Sequence, residues 1–286
     1  MRSYNNLTIF FVSYYSKKKI EKIISKRNSK IKFLIIDNAN EDGLKKNLEK
    51  KYKNVKVIKS PKNKGQTGGI NLGFRNIKTK YSIYMDSDIS FNPKIIDVFL
   101  NAAEKIKDFI IFAPQHERST YKNEFHSNKF NKFKDIKLMK LVHGHFLFFN
   151  MKNVKKVGFF DENFFLYYEE TDFCFRAYKK RQKIYVFPKV KVSHESGKSV
   201  EKGNLIEVEA NKNWHFMWSK FYYYKKNYSY YEAYKNTIFD LLENFIKFIL
   251  FYFFNYRKKT IFYNRISGLI NSYMGKKSFR RLKISK

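Results

Sequence analysis

The chain has 286 residues, enough to bury one large core with or without an appendage. Its 59 Lys+Arg against 25 Asp+Glu give a formal net charge of +34 and a pI near 9.9. That bias suits acidic partners: nucleic acid, an anionic membrane or phosphorylated small molecules. The lysines are scattered beside abundant Asn, Ile, Phe and Tyr, as an AT-rich genome would yield, so charge selects none of the three. A single cysteine, Cys174, excludes an internal disulfide and a multi-cysteine zinc site. No apolar run of secretory-signal length precedes the first strand, which makes the cytoplasm the expected compartment.

The first part of the chain alternates strands and helices. Residues 7–12 form an apolar run of strand length, 17–26 have helical spacing, 31–36 and 55–58 read as strands, and 44–52 as a helix between them. A fourth strand spans 81–85. This pattern predicts an α/β fold with a mainly parallel central sheet flanked by helices, whose ligands bind beyond the carboxyl ends of the strands. At those ends stand Ser13 to Ser16, Asp37-Asn38, Ser60 to Gln66 and Asp86-Ser87-Asp88. Further on, a helix is expected after Pro93, strands at 109–112 and 146–149, and a helix at 169–181. Residues 116–140 carry no period and read as a surface segment.

Asp86 and Asp88, one residue apart after an apolar strand, can share one hard cation. Mg²⁺ or Mn²⁺ favours such oxygen ligands and keeps positions for phosphate oxygens and water. A divalent metal there would neutralise charge on a departing nucleoside diphosphate. Asp37 can accept a hydrogen bond from a pyrimidine imide or a ribose hydroxyl. Gly65, Gly68 and Gly69 would let backbone approach a nucleotide where a helix begins, and a helix N-terminus favours an anion. Glu169, Glu170 and Asp172 suit the first turn of a helix electrostatically, and equally suit a general base.

Several motifs fall in a consistent order: Ile9 to Ser16, Ile35-Ile36-Asp37-Asn38-Ala39, Asn63 to Gly73, Asp86-Ser87-Asp88, Gly158 to Arg176, and His194 to Ser199. Together they resemble the family 2 glycosyltransferases of the GT-A fold, particularly the bacterial rhamnosyltransferase-like branch, over about residues 7–199. The resemblance implies a nucleotide-sugar donor contacted by Ser13, Tyr15, Asp37, Asn38, Lys64, Gly65, Gln66, Gly69, Asn71, Asp86, Ser87 and Lys198. It implies a metal held by Asp86, Asp88 and His194. The family's acceptor-side helix carries a Glu-Asp pair whose Asp is the base of an inverting displacement. Glu170 stands at that Asp position here, a departure from the pattern, so the base is ranked Glu170, then Asp172, then Glu169. His143 and His145 could contact the acceptor or simply pack.

From Asn213 onward the chain turns aromatic and basic, which sets a catalytic domain at 1–212 (donor half about 1–90, acceptor half about 91–212) before a helical extension at 213–286. Residues 238–254 are apolar but interrupted by Asp240, Glu243, Asn244 and Lys247, which argues against a bilayer span. An amphipathic helix on an anionic surface and a helix packed on the core or a second subunit are both open. The expected function is an inverting transfer of a sugar, from dTDP-rhamnose or a UDP-hexose, to a surface-glycan or lipid-linked acceptor. The site of action would be the cytoplasm or the cytoplasmic face of the inner membrane. A nucleic-acid-binding protein and an inactive transferase-like scaffold are the alternatives, although no nucleic-acid partner is expected.

Overall fold

The structure, a computed structural model, describes residues 4–26, 30–116, 136–194 and 205–282, excepting the side chains of His116 and His194. Its strands are β1 (Leu7–Ser13), β2 (Lys32–Asp37), β3 (Val55–Lys59), β4 (Tyr81–Met85), β5 (Ile89–Phe91), β6 (Ile111–His116), β7 (Lys137–Met139), β8 (Phe146–Asn150) and β9 (Ile184–His194). Its helices are α1 (Lys17–Ile24), α2 (Leu44–Lys51), α3 (Gly65–Asn76), α4 (Lys94–Lys105), α5 (Met151–Val157), α6 (Glu169–Lys179), α7 (Leu205–Asn227), α8 (Tyr230–Lys235), α9 (Ile238–Phe251) and α10 (Tyr256–Tyr273).

All described strands join one sheet in the order β3-β2-β1-β4-β8-β6-β9-β5, with β7 on β9. β1 pairs parallel with β2 and β4, and β2 with β3; β8 is antiparallel to both β4 and β6, and β6 is parallel to β9. Strands β1 to β4, β6 and β9 therefore run one way, and the sheet is mainly parallel as expected. The chain passes from the edge strand β3 through α3 to β4, so the order reverses between β1 and β4. A crevice at such a reversal is where open α/β sheets take their ligands.

The helices cover both faces. Leu7, Ile9 and Phe11 point to a core shared with α1, α2 and α4, whereas Phe10 points to a second core with α3, α5 and α6. The two-residue side-chain period of a strand produces this division. β1 and β4 have apolar residues to both sides because both faces are covered. At the edge, β3 buries Val55 and Val57 and exposes Lys56 and Lys59, charges that discourage pairing with another chain. Cys174, on α6, is buried in the second core.

One expected strand changes: the run at 109–112 becomes a strand only from Ile111 and continues to His116, through Pro114. Its neighbour β9, 11 residues long and ending at His194, contains Pro188. Their mutual register jumps from Pro114↔Phe187 to Gln115↔Lys191, so an irregularity in the ladder absorbs both prolines.

Contacts divide the chain into two compact units, Met1–Phe160 with Phe173–Glu201, and Asp161–Asp172 with Lys202–Lys286. Residues 205–212, grouped with the catalytic part in the sequence reading, are the first turns of α7. In the second unit α7 and α10 cross very closely: a Cβ on Gly268 would lie 2.2 Å from the Trp214 carbonyl oxygen. Trp214 Nε1 donates to Ser267 at 3.2 Å and Ser272 donates to the Trp218 carbonyl at 2.9 Å. His215, wholly buried, bonds the Arg280 carbonyl through Nε2 at 2.9 Å and Ser278 through Nδ1 at 3.0 Å. A carbonyl can only accept, so Nε2 carries a proton.

Burial lowers the His215 pKa to about 3, against the opposing pull of the Arg280 carbonyl. The unfolded imidazole, near ~6.5, then binds the proton that the folded one refuses, and stability falls as the solution is acidified through that value. Denaturant unfolding should show wild type losing about 2 kcal/mol more than His215→Gln between about pH 7 and about pH 5, with no difference in slope above pH ~7. Parallel pH profiles for the two proteins would contradict this.

Candidate active site

The carboxyl ends of β1, β2 and β3 are tied together by side-chain amides. Asn38, buried just beyond β2, donates from Nδ2 to the Gly65 carbonyl at 2.9 Å and to Asn63 Oδ1 at 3.0 Å. Its Oδ1 accepts from the Lys64 N–H at 3.0 Å, and Asn63 Oδ1 accepts from the Gly65 N–H at 2.9 Å. The network shapes the turn into α3, where Gly65 takes φ +70°, a left-handed conformation that glycine adopts without a Cβ penalty. Tyr14 also bonds Asn63, and burial raises its pKa.

Asp37 is wholly buried, and its carboxylate accepts from the N–H groups of Ala39 and Glu41 at 3.0–3.2 Å. Burial raises its pKa, and those backbone N–H groups oppose the shift. Asn71 grips the Phe160 backbone at both ends of its amide: Nδ2 donates to the carbonyl at 2.9 Å, and Oδ1 accepts from the N–H at 3.0 Å. These side chains thus organise loops, whatever else they do. Ser13, buried, shares a hydrogen bond with Ser16 at 3.0 Å, and Tyr15 holds a left-handed φ of +53°. Lys64 and Gln66 are half-buried at the start of α3.

The glycines of α3 have a packing function. A Cβ on Gly69 would meet Val12 at 2.6 Å, one on Gly73 would meet Phe10 at 2.6 Å, and one on Gly68 would meet Lys64 at 2.6 Å. Gly69 and Gly73 therefore let α3 lie directly on β1.

Asp86, Ser87 and Asp88 follow β4, on the far side of β1 from β2. The Asp86 N–H donates to the His145 carbonyl at 3.0 Å, its carbonyl accepts from the Ile89 N–H at 3.3 Å, and its Oδ1 accepts from the Tyr84 hydroxyl at 2.7 Å. Ser87 and Asp88 are buried. β5 begins at the next residue and pairs antiparallel with the end of β9, in the register Ile89↔His194, Ser90↔Ser193, Phe91↔Val192. The backbone of His194 is thus brought opposite the residue after Asp88. Lys198 lies outside the described residues. His145 is buried beside Asp86, and His143 is exposed with its ring 5.9 Å from that of His145.

Among the described residues no group of three or more His, Cys, Asp or Glu is placed to hold a metal. Two aspartates of fixed backbone nonetheless fit Mg²⁺ or Mn²⁺, which takes hard oxygen donors and commonly keeps only one or two protein carboxylates, drawing its other ligands from water and phosphate.

The acidic segment belongs to the second unit. It enters α6 through Tyr167 and Tyr168, both left-handed with φ +67° and +65°. Two such non-glycine residues cost of order 1–3 kcal/mol each. Opposing that cost, Tyr168 packs against Phe216 and Tyr223, Phe165 stacks on His215, and Ser219 donates to the Leu166 carbonyl at 2.9 Å. The three carboxylates then differ sharply. Asp172, 0% exposed, pairs with Lys226 at 2.7 Å and accepts from Asn227 at 3.0 Å. Glu169 is 3% exposed, and Glu170 retains the most surface of the three. Lys226 also pairs with Asp161 at 2.8 Å. Burial pushes the Asp161 pKa up, but Lys226, the Asn163 N–H and the Tyr222 hydroxyl hold it below the ordinary value. Lys226, Asn227, Tyr84 and Asn63 were not singled out from sequence; only Asn63 lay within a recognised motif.

The model of glycosyl transferase family 2 matches residues 9–175, more than half of the chain. The chain belongs to this family. The described fold is that of the GT-A glycosyltransferases, as three solved structures indicate. The mannosyltransferase PcManGT of Pyrobaculum calidifontis, in complex with GDP-Man and Mn²⁺, has a TM-score of 0.58 at 12% identity, over 95% of this chain and 88% of its own. GalNAc-T7 with UDP, GalNAc and Mn²⁺ gives 0.55 at 14% identity, over 70% of this chain and 45% of its own. TarS of S. aureus gives 0.52 at 13% identity, over 73% and 39%. In sequence, the chain is similar to the low-salt glycan biosynthesis hexosyltransferase Agl10 of Haloferax volcanii, 23% identical over 199 residues. That alignment spans 63% of this chain and 64% of the relative.

Lys226→Met in this family 2 chain would leave the Asp172 carboxylate buried without its cation. Stability to urea is expected to fall by about 3 kcal/mol, and Lys226→Met/Asp172→Leu to recover part of that loss. A double variant no more stable than the single one would show that the pair is not the source of the effect.

Proposed function

We propose that the protein transfers a sugar from a nucleotide-diphosphate donor, a dTDP-deoxyhexose or UDP-hexose, to a hydroxyl of a glycan or lipid-linked acceptor. The displacement is single and inverting. The main support, beside family membership, is the pairing of β5 with β9, which sets the backbone of His194 against the strand that Asp86-Ser87-Asp88 opens, at the crevice where the strand order reverses. Asp86 and Asp88, with His194 as a further ligand, would hold Mn²⁺ or Mg²⁺. When bound, that ion supplies positive charge to the diphosphate leaving group.

The protein's own residues provide the rest. The amide network of Asn38 and Asn63 holds the loops at the ends of β2 and β3 and the start of α3, whose N-terminus favours the donor's negative charge; Tyr15, Lys64 and Gln66 contact the donor. Ser87, Gly65 and Lys198 belong to the same donor set. Glu170 takes the proton of the attacking hydroxyl. The support for this choice is that Asp172 is committed to Lys226 and Asn227 and that Glu169 is buried more completely.

The test follows nucleoside diphosphate release from dTDP- and UDP-sugars with Mn²⁺ and glycan acceptors. Glu170→Gln should lower kcat by about 10²–10⁴-fold with donor binding retained, and Asp88→Ala should weaken metal-dependent donor binding. Full activity in Glu170→Gln, with loss in Asp172→Asn or Glu169→Gln, would move the base to that residue. If wild type binds no donor by calorimetry, the transfer reading fails.

A further inference from the structure

The C-terminal unit contains a helix that leaves most of its apolar side chains exposed. α9 turns Asn244 inward, where its Nδ2 donates to the Asp240 carbonyl at 2.5 Å, and Asp240 pairs with Lys220 on α7 at 2.5 Å. Its outward face carries Phe239, Leu242, Ile246 and Ile249, all exposed, and the arc runs on into Phe253 and Phe254. Those last two side chains are 84% and 86% exposed, at the turn where the α9–α10 hairpin reverses. A soluble surface seldom leaves a contiguous apolar face of this extent.

The charge around the tip indicates what covers it. Lys258 Nζ lies 4.3 Å from the Phe251 ring centroid, and Lys259 Nζ lies 4.5 Å from that of Tyr252, so two ammonium groups sit at the edge of the aromatic tip. Arg257, beside them, is paired with Glu209 at 2.7 Å, and Glu243, within the outward face, is paired with Lys247. The face is therefore apolar with its own acid locally neutralised, and its rim is cationic. Exposed tyrosines at 252 and 256 add amphipathic rings at that rim. No described helix is long and apolar enough to cross a membrane, and a helix of α9's length would reach only ~21 Å against a hydrocarbon thickness of ~30 Å.

We infer that the outward face of α9, with the 252–256 tip, docks on an anionic lipid bilayer: the apolar side chains enter the interface, and Lys258 and Lys259 meet the headgroup phosphates. This does not depend on the transfer reaction, because vesicle binding is read without donor or acceptor.

The test is co-sedimentation of the full chain with vesicles of phosphatidylcholine alone or mixed with phosphatidylglycerol, at two salt concentrations. Wild type should favour the mixed vesicles by roughly tenfold or more, and Phe253→Ser/Phe254→Ser should lose roughly tenfold or more of that affinity. Lys258→Gln/Lys259→Gln should weaken binding to the mixed vesicles and leave the weak binding to phosphatidylcholine unchanged. These side chains face outward, and circular dichroism checks that each variant folds. Wild type remaining in the supernatant would overturn the proposal. So would a Phe253→Ser/Phe254→Ser variant binding like wild type, since the net charge of the chain would then account for all the binding. A dimer in sedimentation velocity, lost in that variant and unaccompanied by vesicle binding, would assign the face to a second copy instead.

Discussion

The direct contact of α3 with β1 is the constraint on which the catalytic half depends. Gly69 and Gly73 lie so close to Val12 and Phe10 that an added methyl would overlap them. This approach fixes the height of α3 over the sheet, and from it two consequences follow. The N-terminal turn of α3 is held where the Asn38 and Asn63 amides can close the loops after β2 and β3. Further along the same helix, Asn71 grips Phe160, the residue before the acidic segment begins. One helix therefore fixes both the loops at the strand ends and the backbone at Phe160.

The parallel half of the fold was legible because each strand there is a continuous apolar run and each helix has a clean period. β1, β2, β3 and β4 fall within one or two residues of the expected ranges. In the other half α4, β8 and α6 stand where they were expected, and the remaining elements were not legible. β6 and β9 carry prolines that read as breaks, β5 and β7 are too short to show a period, and α7 mixes buried Trp214 and Trp218 with polar residues on every face. These elements are specified by their partners rather than by local pattern.

The site was legible as motifs and less so as roles. Sequence order picked out Asp37 and Asn38 as polar groups at the carboxyl edge of the sheet and Asn71 within a motif, yet each is engaged with backbone, which no spacing rule reveals. The acidic triplet shows the same limit. Three carboxylates in one helical turn look equivalent, and what separates them is Lys226, more than fifty positions further along the chain. Such a long-range ion pair leaves no local signature.

The solitary thiol offers a different kind of consequence. Cys174 is on the buried face of α6, in the layer that also contains Phe160 and Phe173. A sulfhydryl reagent can reach it only when that layer parts, so its rate of alkylation is a stopwatch for local opening of the helix that begins with the acidic triplet. With no second thiol in the chain to blur the signal, the protein carries its own single-site clock for breathing motions of that helix.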